Sequence, residues 1–129
     1  WGYALRGWTD YPLDPGHYNV AFSSHPYSYP GKDTVEEFQT DWAFLAPSYP
    51  FILTEFGYAP TSDPATHMSY ERMVLDFAEA NGLGWTAWAW TDYFINHSIF
   101  ERQSSYDPAN DVFSPLTDHG GLIQEYLAG

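Results

Sequence analysis

The sequence predicts an α/β fold in which three parallel strands alternate with three helices. Three short segments, residues 19–27, 51–56 and 84–91, are mostly apolar on both faces, which is typical of strands in a parallel sheet covered by helices. The segments that follow the first two have helical periodicity and helix-capping residues, and a short helical segment ends the chain. The alternation indicates a sheet built from βα units.

The first βα unit follows a loop. Residues 1–18 are rich in Gly, Pro and aromatic residues, and we expect a loop there with a short helical turn near Leu5. The strand at 19–27 ends in a proline-containing turn. Thr34 is the expected N-cap of a helix, because Glu37 three residues later completes a capping box. We expect this helix to reach about residue 46, where two nearby prolines end it.

The second strand, at 51–56, is closed by Gly57, and the elements after it complete the pattern. They are, in order, a helix from Thr66 or Ser69 to Asn81, a strand at 84–91, a long polar loop from about 93 to 119 and a helix at 122–127. Gly82 suits the position just after the second helix, because glycine adopts the left-handed conformation that often ends helices.

The length of 129 residues fits a single domain, which we expect over 1–129. A complete (β/α)8 barrel needs roughly 250 residues. A three-stranded parallel sheet would leave two bare edges, which natural proteins avoid. We therefore expect a partial (half) TIM barrel that is completed either by a missing N-terminal half or by self-association. Because the chain starts at Trp1, we expect it to be processed, trimmed or a fragment.

Composition excludes several function classes. The net charge is −13, from 17 acidic and 4 basic residues, so a nucleic-acid partner and an anionic membrane surface are both disfavoured. Without cysteine, disulfide scaffolds and thiolate chemistry are excluded. Aromatic residues make up 20% of the chain, more than a core of this size needs, so some are expected to line a groove. We expect no cofactor.

Candidate functional residues lie at the C-terminal ends of the predicted strands, where the active sites of barrels collect. Since side chains two apart on a strand share a face, three same-face pairs are predicted: His25 with Tyr27, Leu53 with Glu55, and Trp88 with Trp90. A carboxylate at the end of an apolar strand is costly unless it is used or hydrogen-bonded. Glu55 is therefore the strongest catalytic candidate, and Tyr27 is placed to donate a hydrogen bond to it.

Each of these residues also has a structural interpretation. Glu55 would then cap a loop amide or meet water at the strand end. His25 would be satisfied by the backbone in the turn before Pro26, rather than hold a substrate hydroxyl. Trp88 would pack in the core, the commoner fate of a strand tryptophan, rather than offer a flat platform to a sugar ring.

Three of these segments resemble strands of glycoside hydrolase family 5. NVAFSSHPYSYP resembles its sixth strand, which carries a His-x-Tyr motif; YPFILTEFGY resembles the seventh, whose Glu is the nucleophile; and GLGWTAWAWTD resembles the eighth, which supplies a stacking Trp. GGLIQEYLAG is similar to the final helix of the family, and WGYALRG with DYPLD resembles the segment after the fifth strand. Order and spacing agree over essentially the whole chain.

The resemblance implies a retaining β-glycoside hydrolase, similar to endo-β-1,4-glucanases and cellulases, that acts on polysaccharide. Glu55 would be the nucleophile, Tyr27 would orient and stabilise it, His25 would contact the sugar in the cleavage subsite, and Trp88 would stack on that sugar. The residues that could extend the cleft are Trp90, Tyr58, Tyr29, Tyr93 and Phe94. The resemblance also implies an extracellular protein, because polymeric glycans are digested outside cells.

The chain departs from the family in its second carboxylate. The family uses an acid/base Glu, preceded by Asn, on its fourth strand, but this sequence has no Asn-Glu pair and no counterpart of strands one to five. Retention needs two carboxyls ~5–5.5 Å apart. Five further glutamates fall on predicted helices, which lie outside a barrel: Glu36, Glu37, Glu71, Glu79 and Glu125. Only Asp92 and Glu101 follow the third strand, at positions that the family does not use.

The acidic loop near the C terminus is a weak candidate for a calcium site. Asp107, Asp111 and Asp118, with Asn110 and His119, supply oxygen and nitrogen ligands, but they lack EF-hand spacing. A solvated acidic loop is the favoured interpretation. The remaining histidines, His17, His67 and His97, have no metal-ligand spacing and are expected at the surface.

Three functional hypotheses remain open. The chain is part of a β-1,4-glycan hydrolase, a module that binds a β-1,4-glycan without cutting it, or a half barrel that self-associates through its exposed sheet edges and has no activity.

Overall fold

Three short parallel strands form the centre of the fold. The computed structural model describes residues 5–10, 20–28, 33–58, 64–93, 97–109 and 112–129. Its strands are β1 (Phe22–Ser24), β2 (Tyr27–Ser28), β3 (Phe51–Leu53), β4 (Gly57–Tyr58), β5 (Gly84–Trp85), β6 (Phe100–Asp107) and β7 (Val112–Leu116). Its helices are α1 (Val35–Asp41), α2 (Pro64–Ala80) and α3 (Asp118–Ala128), with 3-10 turns at Arg6–Thr9 and Ala43–Leu45.

The parallel arrangement confirms the predicted α/β class. The central sheet has the order β1-β3-β5 with both pairs parallel, and Leu53 of β3 is opposite Trp85 of β5. Beyond β1 and β3 the same two segments pair again as β2 and β4, with Tyr27 opposite Gly57. The described residues form an open sheet with β1 and β5 at its sides, not a closed barrel.

The predicted helix signals are present, with shifted boundaries. Thr34 and Glu37 make the reciprocal capping box of α1. This helix ends at Asp41, earlier than predicted, and a 3-10 turn continues to Leu45. The second helix begins at Pro64, before the predicted start, since proline is well tolerated in the first turn of a helix. Gly82 has the expected positive φ of 63°.

The hydrophobic core lies between the central sheet and the helices. Its large buried members are Phe38, Trp42, Leu45, Phe51, Leu53, Phe56, Tyr70, Val74, Leu75, Phe77, Leu83, Leu122 and Ile123. The Trp42 ring stacks on Phe51 at 5.6 Å between centroids and meets Phe77 edge-on, so α1, β3 and α2 share one core. Helical spacing in the sequence predicts one apolar face made of Val35, Phe38, Trp42 and Leu45. The structure buries all of them except Val35, which is exposed.

The predicted strands are longer than those in the structure. The first is split into β1 and β2 at His25–Pro26, and the second ends at Leu53 rather than Phe56. The third stops at Trp85, because the backbone beyond it pairs elsewhere. Ala89 donates to His97 and accepts from Ile99, and Thr91 accepts from Phe100. Runs of aromatic residues therefore predicted strand character over a segment whose backbone leaves the sheet.

The predicted polar loop from 93 to 119 is wrong over most of its described length. Residues 100–116 contain the antiparallel hairpin of β6 and β7, and α3 begins at Asp118 rather than Leu122. Thr117 caps α3 by accepting a hydrogen bond from the Gly120 amide. The polar strand β6 lacks apolar alternation, so its backbone pairing left no pattern to detect. Among the described residues, no helix is both long and apolar enough to cross a membrane.

Candidate functional site

Glu55 lies at the C-terminal end of β3 and contacts the two residues that the sequence placed beside it. The Tyr27 hydroxyl donates a hydrogen bond of 2.8 Å to Glu55 Oε2. This is the hydrogen bond across adjacent strands that the residue pattern predicted. The Glu55 side chain is 29% exposed, so it is partly shielded from water and still accessible to a ligand.

His25 faces the other oxygen of the same carboxylate. His25 Nδ1 lies 3.6 Å from Glu55 Oε1, and His25 Nε2 lies 2.7 Å from Thr54 Oγ1. Because a carboxylate only accepts hydrogen bonds, we assign the ring proton to Nδ1, which faces Glu55, and the Thr54 hydroxyl then donates to Nε2. Thr54 therefore sets the orientation of His25, a role that the sequence did not suggest.

The break in the strand after Leu53 presents Glu55 to the site. Leu53 and Phe56 are both fully buried in the core, whereas Glu55 turns toward Tyr27 and His25. The predicted common face of Leu53 and Glu55 is therefore wrong. Alternation holds only in a regular strand, and residues 54–56 are irregular.

Gly57 leaves the space that the aromatic side chains of the site occupy. A Cβ atom at this position would lie 2.8 Å from His97 Nδ1 and 2.9 Å from Tyr27 Cε1. The two rings meet edge to face, with centroids 5.6 Å apart and an interplanar angle of 84°. Only glycine accommodates both rings at these distances.

Three aromatic side chains follow β5 and are exposed. Trp88 is 41% exposed, Trp90 70% and Tyr93 80%, so the core-packing interpretation of Trp88 is wrong. Trp90 meets the Phe100 ring edge-on at 4.7 Å. The Ala89 amide donates a hydrogen bond to the His97 carbonyl, and the Ala89 carbonyl accepts one from the Ile99 amide. These bonds fix this aromatic segment, defined as residues 88–93, to the start of the hairpin. The Trp88–Ala89 peptide bond is cis.

Other predicted cleft residues are only partly covered by the structure. The Tyr58 backbone lies in β4, opposite Ser28, while its side chain is outside the described part of the chain. Tyr29 and Phe94 lie outside the described residues altogether. Asp92 and Glu101 are exposed, beside the aromatic segment and at the start of β6.

The calcium interpretation gains no support from the described residues. Asp107 Oδ1 accepts a hydrogen bond from the Ala109 amide in the hairpin turn, and Asp118 is exposed in the first turn of α3. Asn110 and Asp111 lie outside the described residues. Within the described ranges, no group of three or more His, Asp or Glu side chains is arranged to hold a metal ion.

The sequence analysis missed a buried contact between Glu71 and His119. Glu71 Oε2 lies 2.7 Å from His119 Nδ1, with the side chains 0% and 4% exposed, and this contact joins α2 to α3. Glu71 is thus not on the outer face of its helix, and His119 is not a loop ligand. The prediction that His67 and His97 lie at the surface is also wrong, since His67 is buried and His97 half-buried.

Helical spacing contains the signal for the buried acid. His67, Glu71, Val74, Leu75 and Ala78 recur at intervals of three and four, so they share one stripe of α2, and all five are buried. The apolar members of that stripe are Val74, Leu75 and Ala78, and the two polar members precede them along the helix.

The pKa of His97 depends on charges of the candidate site and on charges of the buried pair. Burial lowers the pKa of His97 below the usual 6.5 of an imidazole. The negative charges of Glu71 and Glu55 oppose this shift, whereas His119 and His67 add to it. His97 therefore responds to charges on both sides, and its ring contacts Tyr27.

Known proteins similar to this chain include polysaccharide hydrolases. A mannan endo-1,4-β-mannosidase of Salipaludibacillus agaradhaerens is 27% identical in an alignment of 95 residues that covers 65% of this chain and 30% of that protein. A β-glucanase of Saccharophagus degradans matches 99% of this chain, with a TM-score of 0.67 for its native form and 0.66 for its complex with cellotetraose, at 20% identity. No protein-family model matches the sequence.

These similarities support the resemblance to a polysaccharide hydrolase. The chain has the fold of one part of a β-glucanase, and it spans 39% of that protein's length. Its parallel sheet and three described helices correspond to a partial TIM-barrel-like arrangement.

Proposed function

We propose that this chain carries the nucleophile half of a retaining β-1,4-glycan hydrolase, similar to an endo-β-1,4-glucanase, with Glu55 as the nucleophile. The observation that carries the proposal is the Glu55 carboxylate at the end of a parallel strand, held at one oxygen by Tyr27. The similarity to a β-glucanase and a β-mannanase supports the same reaction class. We expect such a protein to act outside the cell.

In the proposed reaction, one oxygen of Glu55 attacks the anomeric carbon of a β-linked sugar. The hydrogen bond from Tyr27 occupies Oε2, so Oε1 is the attacking atom. As the bond from C1 to Oε1 forms, the bond from C1 to the leaving oxygen breaks, and its electron pair stays on that oxygen. His25 lies beside Oε1, where it would contact a hydroxyl of the bound sugar.

A sugar leaving group also needs a proton from a second carboxylic acid about 5–5.5 Å from the nucleophile. We assign that acid to a part of the protein outside the residues that the structure describes. Water then releases the glycosyl group from Glu55 with help from the same residue, now acting as a base. The proposal therefore separates the nucleophile of this chain from an acid supplied elsewhere.

An aryl glycoside tests the nucleophile without the acid. In 2,4-dinitrophenyl β-cellobioside the leaving dinitrophenolate needs no proton, so Glu55 alone should release it. We expect wild-type protein to release dinitrophenolate, Glu55→Gln to release none, and the matched surface variant Glu36→Gln to match wild type, because Glu36 is exposed on α1. Equal release from wild type and Glu55→Gln would contradict the assignment.

Azide tests whether the base is missing. Azide is an anionic nucleophile that attacks a glycosyl-enzyme without a general base. If the second step lacks its base, azide should accelerate turnover and yield a β-glycosyl azide. If azide has no effect while water hydrolyses the intermediate quickly, the base lies in this chain, and Asp92→Asn and Glu101→Gln are the variants to compare next. Parallel assays with the β-mannobioside distinguish glucan from mannan specificity.

A binding function is the second candidate, and the exposed side chains of Trp88, Trp90 and Tyr93 favour it. Aromatic faces of this kind can stack on sugar rings. Calorimetric titration with cellotetraose should then show binding that survives Glu55→Gln and weakens in Trp88→Ala. Binding without dinitrophenolate release would favour this function over hydrolysis.

Self-association is the remaining proposal, through the sides of the sheet formed by β1 and β5. Sedimentation equilibrium across a range of protein concentrations tests it. A mass that rises with concentration supports completion of the sheet by a second copy, and a constant monomer mass contradicts it.

A further inference from the structure

We propose that His97 is a positioning residue that holds Tyr27 against Glu55 and links this part of the site to the aromatic segment. This inference rests on the proposed function only for its consequence on catalysis. The evidence for it is the set of contacts and charges around the His97 imidazole ring.

The first contact is between His97 and Tyr27. The His97 ring meets the Tyr27 ring edge to face, with centroids 5.6 Å apart, in the space that Gly57 leaves open. The hydroxyl of the same tyrosine donates to Glu55. Since Tyr27 has few directions in which to turn without leaving His97, the ring contact restricts the hydroxyl to the vicinity of the carboxylate.

The second contact fixes His97 itself. Its backbone carbonyl accepts a hydrogen bond from the Ala89 amide, and Ala89 in turn accepts from Ile99. Ala89 directly follows Trp88, so His97 is hydrogen-bonded to the aromatic segment. His97 thereby connects that segment to the candidate nucleophile.

The third relation is electrostatic. Groups that act on the His97 ring include Glu55 and Tyr27 on the site side, and Glu71, His119 and His67 on the side of α2 and α3. Glu71 and His119 are buried and paired, so a charge on either side chain would be poorly screened. Burial lowers the pKa of His97, which keeps its ring neutral beside Tyr27 at neutral pH.

The coupling can be measured without activity. The imidazole resonances of His97, assigned by their loss in His97→Phe, are titrated by NMR in wild type, Glu55→Gln and the control Glu36→Gln. Because the Glu55 charge opposes the lowering, we expect the pKa of His97 to lie below 6.5 in wild type and to fall further in Glu55→Gln. Glu36→Gln should leave it unchanged. An identical His97 titration in all three proteins would overturn the link.

The positioning role is tested with the aryl glycoside. His97→Phe keeps a ring against Tyr27, whereas His97→Ala removes it, so we expect the alanine variant to lose about two- to tenfold in kcat, the worth of one edge-to-face ring contact, with little change in KM. The phenylalanine variant should restore most of this loss. Folded His97→Ala with unchanged kcat would refute positioning.

Glycine variants provide an independent check. Gly57→Ala places a Cβ between the two rings and should lower kcat as His97→Ala does. The matched variant Gly84→Ala, in β5, meets only the Ile52 side chain at 3.6 Å and should be close to wild type. If wild type releases no dinitrophenolate but the NMR coupling is present, the proposed hydrolase fails and the contact between His97 and the site stands. If dinitrophenolate is released but the His97 titration does not change in Glu55→Gln, the proposed hydrolase stands and the proposed role of His97 fails.

Discussion

Two adjacent glycines in α3 should respond in opposite ways to the same substitution. A Cβ added at Gly120 would lie 2.0 Å from the carbonyl oxygen of Ile99, whereas one added at Gly121 would meet nothing within 4 Å. Both residues are in the first half of the same helix. Alanine favours the helix at both positions by about 0.5–1 kcal/mol, so this gain cancels when the two variants are compared.

The cost at Gly120 follows from the contacts that a shift would break. A carbon normally approaches a carbonyl oxygen no closer than about 3.3 Å, so α3 or the Ile99 backbone must move by about 1.3 Å. Thr117 would be displaced with the helix, although its amide donates to the Ile99 carbonyl and its hydroxyl caps the Gly120 amide. Overpacking costs about 1–3 kcal/mol and a lost cap about 1 kcal/mol, so Gly120→Ala should be less stable than Gly121→Ala by about 2–4 kcal/mol.

Urea unfolding followed by circular dichroism measures this difference. We expect Gly121→Ala to unfold at the same or a higher urea concentration than wild type, and Gly120→Ala at a clearly lower one with a similar m-value. The result matters for the site, because Ile99 also hydrogen-bonds Ala89 in the aromatic segment. Equal midpoints for the two alanine variants would refute the described packing of α3 against Ile99.

Further predictions concern the site and the buried pair. Tyr27→Phe removes the hydrogen-bond donor to Glu55 and keeps the ring. A hydrogen bond to a charged group contributes roughly 1.5–3 kcal/mol, so dinitrophenolate release should slow about ten- to a hundredfold. A change within twofold would contradict the orienting role. His119→Ala leaves the Glu71 carboxylate buried without its partner and should lower the free energy of unfolding in urea by about 3–5 kcal/mol. Glu71→Leu combined with His119→Phe should recover most of that loss. A double variant as unstable as His119→Ala would contradict the role of the pair in stability. Burial lowers the pKa of His97 in the folded state, so the unfolded state binds the proton more readily. This contribution to stability is complete above pH 6.5 and is lost as pH falls through the lowered pKa. His97→Phe should therefore flatten the dependence of the unfolding free energy on pH in that window, and unchanged slopes would contradict the assignment.

Local signals in the sequence predicted the elements that local interactions determine. The capping box at Thr34 and Glu37 and the positive φ of Gly82 depend on a few neighbouring residues, and both are present in the structure. The parallel alternation of strands and helices was also correct. The hydrogen bond between Tyr27 and Glu55 followed from two strand ends that meet at one edge of the sheet.

Features that depend on distant backbone pairing were missed. The aromatic run after Trp85 has strong strand propensity, but its backbone pairs with residues 97–100, so β5 is short. The polar strand β6 is paired through its backbone to β7 and has no apolar period. Tertiary context overrides propensity in both cases.

The buried polar residues were missed for a different reason. Glu71 and His67 lie on the buried stripe of α2, but charged side chains are rarely buried, and their partners come from elements far away in the sequence. His119 is 48 residues from Glu71. No local pattern reports such a pairing. The contact of His97 with Tyr27 likewise depends on the absence of a side chain at Gly57.

The central claim is that Glu55 forms a covalent bond with the sugar. Incubation with 2,4-dinitrophenyl 2-deoxy-2-fluoro-β-cellobioside tests it most directly, because the fluorine slows the release of the glycosyl group and the dinitrophenolate leaves without a proton. Intact-mass and peptide mass spectrometry should find one fluorocellobiosyl group, on the peptide that contains Glu55, in wild type and in Glu36→Gln but not in Glu55→Gln. An adduct on another carboxylate, or an unmodified wild-type protein, would contradict the account.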